Sequence, residues 1–118
     1  MEYSTFTEEP ILVCSWNVGA SKPPGMNDLN FWHSWFGVIP APSIIVVGLQ
    51  EVIGLDSKRA NAKLFLGSGE NSRYTNWVER MKEALFVVQQ NSRYKLIINQ
   101  SLVGLHMAIF VREDQVPF

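Results

Sequence analysis

Two short apolar runs in this chain each end in a hard oxygen ligand. Ile11-Leu12-Val13-Cys14-Ser15-Trp16 runs into Asn17, and Ser43-Ile44-Ile45-Val46-Val47-Gly48-Leu49 runs into Gln50 and Glu51. A carboxamide or carboxylate directly after a buried strand is presented at the end of a sheet. Such a pair suits Mg²⁺, which takes oxygen ligands, needs only one or two protein carboxylates, and keeps positions for water and a substrate phosphate. Asn17 and Glu51 are therefore the candidate catalytic and metal-holding residues. Taken alone, the same two residues also read as a turn residue and a surface glutamate.

The elements that must position them follow from local patterning. Ile11 to Trp16 is the first strand, and Gly19-Ala20-Ser21-Lys22-Pro23-Pro24-Gly25 is a loop by composition. Asp28 caps a short helix through Trp35, with Leu29, Trp32, Trp35 and Phe36 on one face. Pro40 and Pro42 end that element before the second strand, Ser43 to Leu49. The near-continuous β-branched run of this strand predicts cover on both faces.

Gly54 to Leu66 reads as partly helical, and Gly67 to Ser72 as a loop. Thr75 to Gln89 is a helix, with Trp77, Met81, Ala84, Leu85 and Val88 at helical spacing. Two strands follow, Tyr94 to Gln100 and Leu102 to Arg112, able to pair as a hairpin. Strands alternating with helices before a hairpin imply an α/β or α+β fold with a mixed sheet.

Composition bounds the answer. The 118 residues allow one domain, and 47% hydrophobic with 18% charged residues describes a folding chain. A formal net charge of -1 argues against bulk electrostatic coating of nucleic acid or an anionic membrane. The single cysteine, Cys14, forms no disulfide within the chain and is compatible with a reducing compartment. The acidic N-terminus lacks a basic region followed by an apolar core. Residues 1–10 read as a flexible lead-in. The chain stops at Pro117-Phe118 directly after a strand, which would leave an apolar strand edge. It therefore reads as a fragment and not as a finished domain.

Several other residues carry less. His33 and His106 read as structural or solvent-facing histidines. Cys14 lies inside a strand pattern and reads as a buried thiol. Lys58, Arg59 and Lys63 read as a solvated helix face, with a headgroup-binding patch as the alternative. Phe31, Trp32, Trp35 and Phe36 read as core, with a membrane-touching loop as the alternative. Lys22, in the loop after Asn17, is a candidate phosphate contact.

The blocks Ser15-Trp16-Asn17-Val18-Gly19-Ala20 with Lys22-Pro23-Pro24, Val47-Gly48-Leu49-Gln50-Glu51-Val52, and Ser101-Leu102-Val103-Gly104-Leu105 through Phe110-Val111-Arg112 resemble the inositol polyphosphate 5-phosphatase family. That family lies within the endonuclease/exonuclease/phosphatase superfamily. The resemblance spans about Ile11 to Arg112. It implies the N-terminal part of one catalytic domain over residues 1–118: a partial four-layered α-β-β-α sandwich, DNase I-like, with its C-terminal half missing. Glu51 matches the family's Mg²⁺-binding glutamate, and Asn17 the asparagine beside the metal and the scissile phosphate. Gln50 would support Glu51 from behind, Trp16 would pack in the core, and Leu102 to Gly104 would support the active-site side of the sheet. The family's later Gly-Asp-x-Asn-x-Arg, Pro-x-Trp-Cys-Asp-Arg and Ser-Asp-His motifs are absent.

The resemblance implies Mg²⁺-dependent hydrolysis of the 5-phosphate of phosphoinositide headgroups or soluble inositol polyphosphates. It implies a cytoplasmic protein, with peripheral membrane contact and no nucleic-acid partner, and a short chain inactive by itself. Two alternatives stand beside it: a nuclease-like phosphodiesterase of the same superfamily, and a non-catalytic relic or binding module.

Overall fold

A computed structural model describes residues 8–53 and 70–116. Its elements are β1 (Ile11–Asn17), α1 (Leu29–Phe36), β2 (Ile44–Gln50), α2 (Glu70–Val88), β3 (Tyr94–Leu102) and β4 (Leu105–Arg112). The sheet order is β1-β2-β4-β3. β1 and β2 run parallel, while β4 is antiparallel to both β2 and β3. The sheet is therefore mixed, as the element order implies. The crossover from β1 to β2 passes through α1, as a parallel pair requires.

α1 starts where the sequence places its cap. Asp28 accepts a hydrogen bond from the Phe31 backbone N–H at 3.4 Å, satisfying one of the unpaired donors of the first turn. Trp32 and Phe36 are fully buried, each contributing about 1.5–3 kcal/mol of apolar burial. They meet Leu12, Cys14, Ile45, Val47, Leu49, Ala108 and Phe110 from the sheet and Trp77, Met81, Ala84 and Leu85 from α2. Both helices thus lie on one face of the sheet.

Two expectations change. α2 begins at Glu70, so Glu70, Asn71 and Ser72 form its first turn and are not a loop. Polar residues in a first turn are compatible with helix and carry little periodic signal. β2 alternates between buried and half-buried residues, and its second face is open among the described residues. Val13 is 68% exposed and Met107 47% exposed on that open face. Just before β1, Pro10 O accepts from the Ser43 backbone N–H at 2.8 Å and Glu9 accepts from the Ser43 hydroxyl, while residues 1–7 lie outside the described residues. The helical segment read at Gly54 to Leu66, with Lys58, Arg59 and Lys63, lies outside the described residues.

Candidate active site at the sheet end

The parallel pairing has no offset, so β1 and β2 end level. Asn17 lies opposite Gln50, and Glu51 is the next residue. The ladder continues past both strands: Val18 N–H donates to Gln50 O at 2.9 Å, and Ala20 N–H to Glu51 O at 2.7 Å. Asn17 and Glu51 therefore stand together on one rim, both exposed. The Asn17 carboxamide oxygen accepts from Gly19 N–H at 3.0 Å, a local turn typical of asparagine. That leaves one oxygen lone pair and the NH₂ group without a partner among the described residues. The Glu51 carboxylate likewise has no hydrogen bond or ion pair among the described residues.

The backbone at this rim is unusual. Among the described residues six have positive φ, and five of them gather here: Gly19 (56°), Ala20 (60°), Glu51 (53°), Val103 (41°) and Gly104 (81°). Left-handed backbone at a residue other than glycine costs on the order of 1–3 kcal/mol, and it persists only where the surroundings fix it. Here they do. The Glu51 carbonyl is held by Ala20, and the next N–H, that of Val52, donates to Gly104 O at 2.9 Å. Gly104 belongs to the tight turn Leu102-Val103-Gly104-Leu105 joining β3 to β4. Positive φ at both central residues is what a two-residue hairpin turn needs to match strand twist.

α2 holds both sides of the rim. Arg73, Trp77 and Arg80 share one helix face at i, i+4 and i+7. Their side chains donate to three carbonyls of the loop after Asn17: Ala20 at 3.3 Å, Ser21 at 3.2 Å and Pro24 at 2.8 Å. Tyr74, on the same first turns, accepts from Gly104 N–H at 2.7 Å. Sequence patterning missed these four as organisers of the site. The apolar stripe through Trp77 and Met81, extended back one turn to Tyr74, was the available signal. Lys22, on the clamped loop, is exposed and lines a cleft of about 200 Å³ with Val52, Arg73 and Asn76.

The remaining reactive groups are withdrawn from the rim's chemistry. His106 is 3% exposed, with Nδ1 2.8 Å from Ser101 Oγ and its ring stacked on Tyr74. Its Nε2 is buried without a partner, and burial lowers its pKa below the ordinary histidine value. His106 is thus a buried neutral histidine, and His33 is exposed on α1. Cys14 is a buried thiol whose pKa burial pushes up to about 11. Gln50 is half-buried and donates to Ser15 Oγ at 3.1 Å and Gly48 O at 3.3 Å, which ties its amide to the neighbouring strand ends. Trp16 departs from the expected core position. It is 41% exposed at the margin of the sheet, against the rings of Phe31 and Trp35.

Among the described residues no group of three or more His, Cys, Asp or Glu side chains could hold a metal. The donor set at the rim is one carboxylate and one carboxamide, all oxygen and both open to solvent. That fits a hard divalent cation that retains several waters, and it does not fit zinc, which favours nitrogen and sulfur ligands in a closed tetrahedron.

Comparison with known proteins matches the chain to a family. Residues 14–117 match the family model described as Endonuclease/Exonuclease/phosphatase family 2. The "Probable inositol polyphosphate 5-phosphatase" of Schizosaccharomyces pombe is 34% identical over 126 residues, covering 94% of this chain and 11% of that protein. Type IV inositol polyphosphate 5-phosphatase 3 of Arabidopsis thaliana is 32% identical over 84 residues, covering 71% of this chain and 11% of that protein. The chain thus spans about a tenth of the length of these relatives. The fold is that of the solved inositol polyphosphate 5-phosphatase domain of SPsynaptojanin, in complex with inositol (1,4)-bisphosphate and calcium ion. That match has a TM-score of 0.65 at 23% identity, over 90% of this chain and 28% of that one, so this chain holds a part of the DNase I-like fold. A family match running from Cys14 to Val116 and beyond takes in both strand ends and the β3–β4 turn, and the chain belongs to the Endonuclease/Exonuclease/phosphatase family 2, with inositol polyphosphate 5-phosphatases among its relatives.

Proposed function

We propose that this chain is the metal-binding N-terminal part of a phosphoric monoester hydrolase that removes the 5-phosphate from inositol polyphosphates or phosphoinositide headgroups. The observation that carries the reading is the placement of Asn17 and Glu51 side by side, exposed and unpartnered, at the level ends of β1 and β2. The names of the relatives supply the substrate class, and the inositol bisphosphate and calcium of the solved neighbour agree with it.

In this reading Glu51 holds Mg²⁺ through its carboxylate, with Asn17 contributing its free lone pair or donating its NH₂ to a phosphate oxygen. When bound, the cation supplies Lewis-acid polarisation of the phosphoryl group and stabilises charge on the leaving oxygen. Lys22 adds positive charge beside the rim and attracts the phosphate before it docks. In this reading the general base that activates water is not one of the two histidines, since His106 is buried against Tyr74 and Ser101 and His33 is exposed on α1, and it comes from the part of the family's domain that this chain does not span. The apolar open face of the sheet, with Val13 and Met107, packs against the remainder of the domain. The same reading assigns the protein to the cytoplasm, at membrane surfaces when the substrate is a lipid headgroup.

The test has two arms. Mg²⁺ titration of this chain, followed by the fluorescence of Trp16 next to Asn17, gives a saturable change that Glu51→Gln abolishes. A phosphatase assay on an inositol polyphosphate bearing a 5-phosphate gives turnover with a full-length protein and little with this chain. Rapid turnover by the 118 residues alone would contradict the assignment of the base.

A further inference from the structure

We infer that Tyr74 is a positioning residue for Glu51, acting through the β3–β4 turn. The inference rests on Glu51 being the metal carboxylate of the proposed function.

Glu51 has φ of 53°, which an acidic residue does not hold unaided. One restraint is Ala20 on its carbonyl. The other is the Val52 N–H, which ends on Gly104 O at 2.9 Å. That restraint is only as firm as the turn carrying Gly104, and the turn contains its own unfavourable residue. Val103 is β-branched and sits at φ of 41°. The turn is fixed by the buried Gly104 N–H, which donates to the Tyr74 phenol oxygen at 2.7 Å. Tyr74 is 7% exposed, and its ring stacks on His106 with centroids 5.5 Å apart and planes 25° apart. His106 is in turn tied to Ser101 at 2.8 Å.

The route is thus continuous from phenol oxygen to turn amide, turn carbonyl to Val52 amide, and Val52 to Glu51. A phenylalanine at position 74 fills the same space and keeps the stack, but it offers no acceptor. The buried Gly104 N–H would then lack a partner, and such groups are costly enough to reorganise a turn. The Gly104 carbonyl shifts, Val52 is released, and Glu51 leaves the left-handed region.

The experiment compares Tyr74→Phe with Tyr94→Phe. Tyr94 also uses its hydroxyl in one hydrogen bond, to Pro42 O at 2.6 Å, but at the opposite end of the sheet. Amide hydrogen exchange is measured on the metal-free proteins, followed by Mg²⁺ titration. In Tyr74→Phe the Val52 and Gly104 amides exchange about tenfold faster while Val47, deep in β2, is unchanged. The Mg²⁺ dissociation constant rises about tenfold, as when a group that orients a metal ligand is lost. In Tyr94→Phe both quantities stay within about twofold of wild type. Unchanged exchange at Val52 in Tyr74→Phe would overturn the inference, and so would faster exchange with undiminished Mg²⁺ affinity. A wild-type chain with no Mg²⁺ response counts against the metal reading of Glu51 and not against Tyr74, whose hold on Val52 is read without metal.

Discussion

The two ends of the sheet are built from the same strands and treat polar groups in opposite ways. At the end where β2 begins, nearly every polar group is tied to another. Tyr94 donates to Pro42 O, Arg112 donates to Ala41 O and Asp114, and Arg112 N–H meets Ser43 O at 2.9 Å. Gln89 is buried and engages both ends of its amide: Nε2 donates to Phe36 O at 2.6 Å and Ile39 O at 3.0 Å, and Oε1 accepts from Ala41 N–H at 3.1 Å. At the end where β2 finishes, backbone groups are equally well paired, but the side chains of Asn17 and Glu51 are left open and the backbone is bent into positive φ. One end closes the fold. The other holds the side chains of Asn17 and Glu51, the two candidate oxygen ligands, in place with groups that do not themselves face the rim.

Removing the open carboxylate breaks this comparison most directly. Glu51→Gln keeps the shape and removes the charge. Mg²⁺ affinity should fall by ~100-fold or more, at the upper end of what losing a supporting group costs, while stability stays within about 0.5 kcal/mol because the side chain has no partner among the described residues. Isothermal titration and urea unfolding measure the two quantities. A parallel loss of stability would mean that Glu51 is a structural residue.

The closed end predicts the reverse pattern. Gln89→Ala leaves two carbonyls and one N–H without side-chain partners in a largely buried position. It should cost about 2 kcal/mol in urea unfolding, with Mg²⁺ affinity unchanged. The pair of variants separates the two ends by readout and not only by magnitude.

These variants also show where the sequence is legible and where it is not. β1, β2 and the Asp28 cap are local patterns, so the sequence places them within a residue or two. Asn17 and Glu51 stand out because a polar oxygen directly after an apolar strand is itself a local signal. The organisers of the rim are not local. Arg73, Trp77 and Arg80 reach carbonyls 53 to 56 residues away, and those acceptors are backbone atoms that leave no trace in residue type. The hairpin turn was hidden for a related reason. Val103-Gly104 lacks the asparagine that usually marks positive φ, because here tertiary contact through Tyr74 imposes the conformation.

That turn gives a smaller effect of opposite sign. Val103 is 57% exposed, so little burial is lost by replacing it. Val103→Asn places an Asn-Gly pair in a turn that wants positive φ at both positions, and it should stabilise the protein by about 1 kcal/mol. Thermal unfolding measures it. Mg²⁺ affinity should hold or improve, since the Gly104 carbonyl that restrains Val52 becomes firmer. A destabilised variant would mean that the Val103 side chain makes a contact worth more than its strain.

The smallest effect tests whether His106 is a spectator beneath the rim. Burial holds its pKa in the folded protein below the ordinary value of about 6.5 that it has when unfolded. Between those two values the unfolded chain binds more protons than the folded one, so stability rises with pH there. The folded state therefore has its full contribution above about pH 6.5 and loses it progressively as pH falls toward the depressed folded value. His106→Leu removes the titration and the unpartnered Nε2 together. The difference in unfolding free energy between variant and wild type should thus grow in the variant's favour as pH drops from 7.5 to 5.5. Urea unfolding at both pH values measures it, and taking the difference cancels the exposed carboxylates and His33, which the two proteins share. A difference that stays flat would mean that water reaches Nε2 and that His106 charges freely in the folded state. The stack beneath Tyr74 would then be wetter, and the Gly104 turn less firmly held, than the open end of the sheet requires.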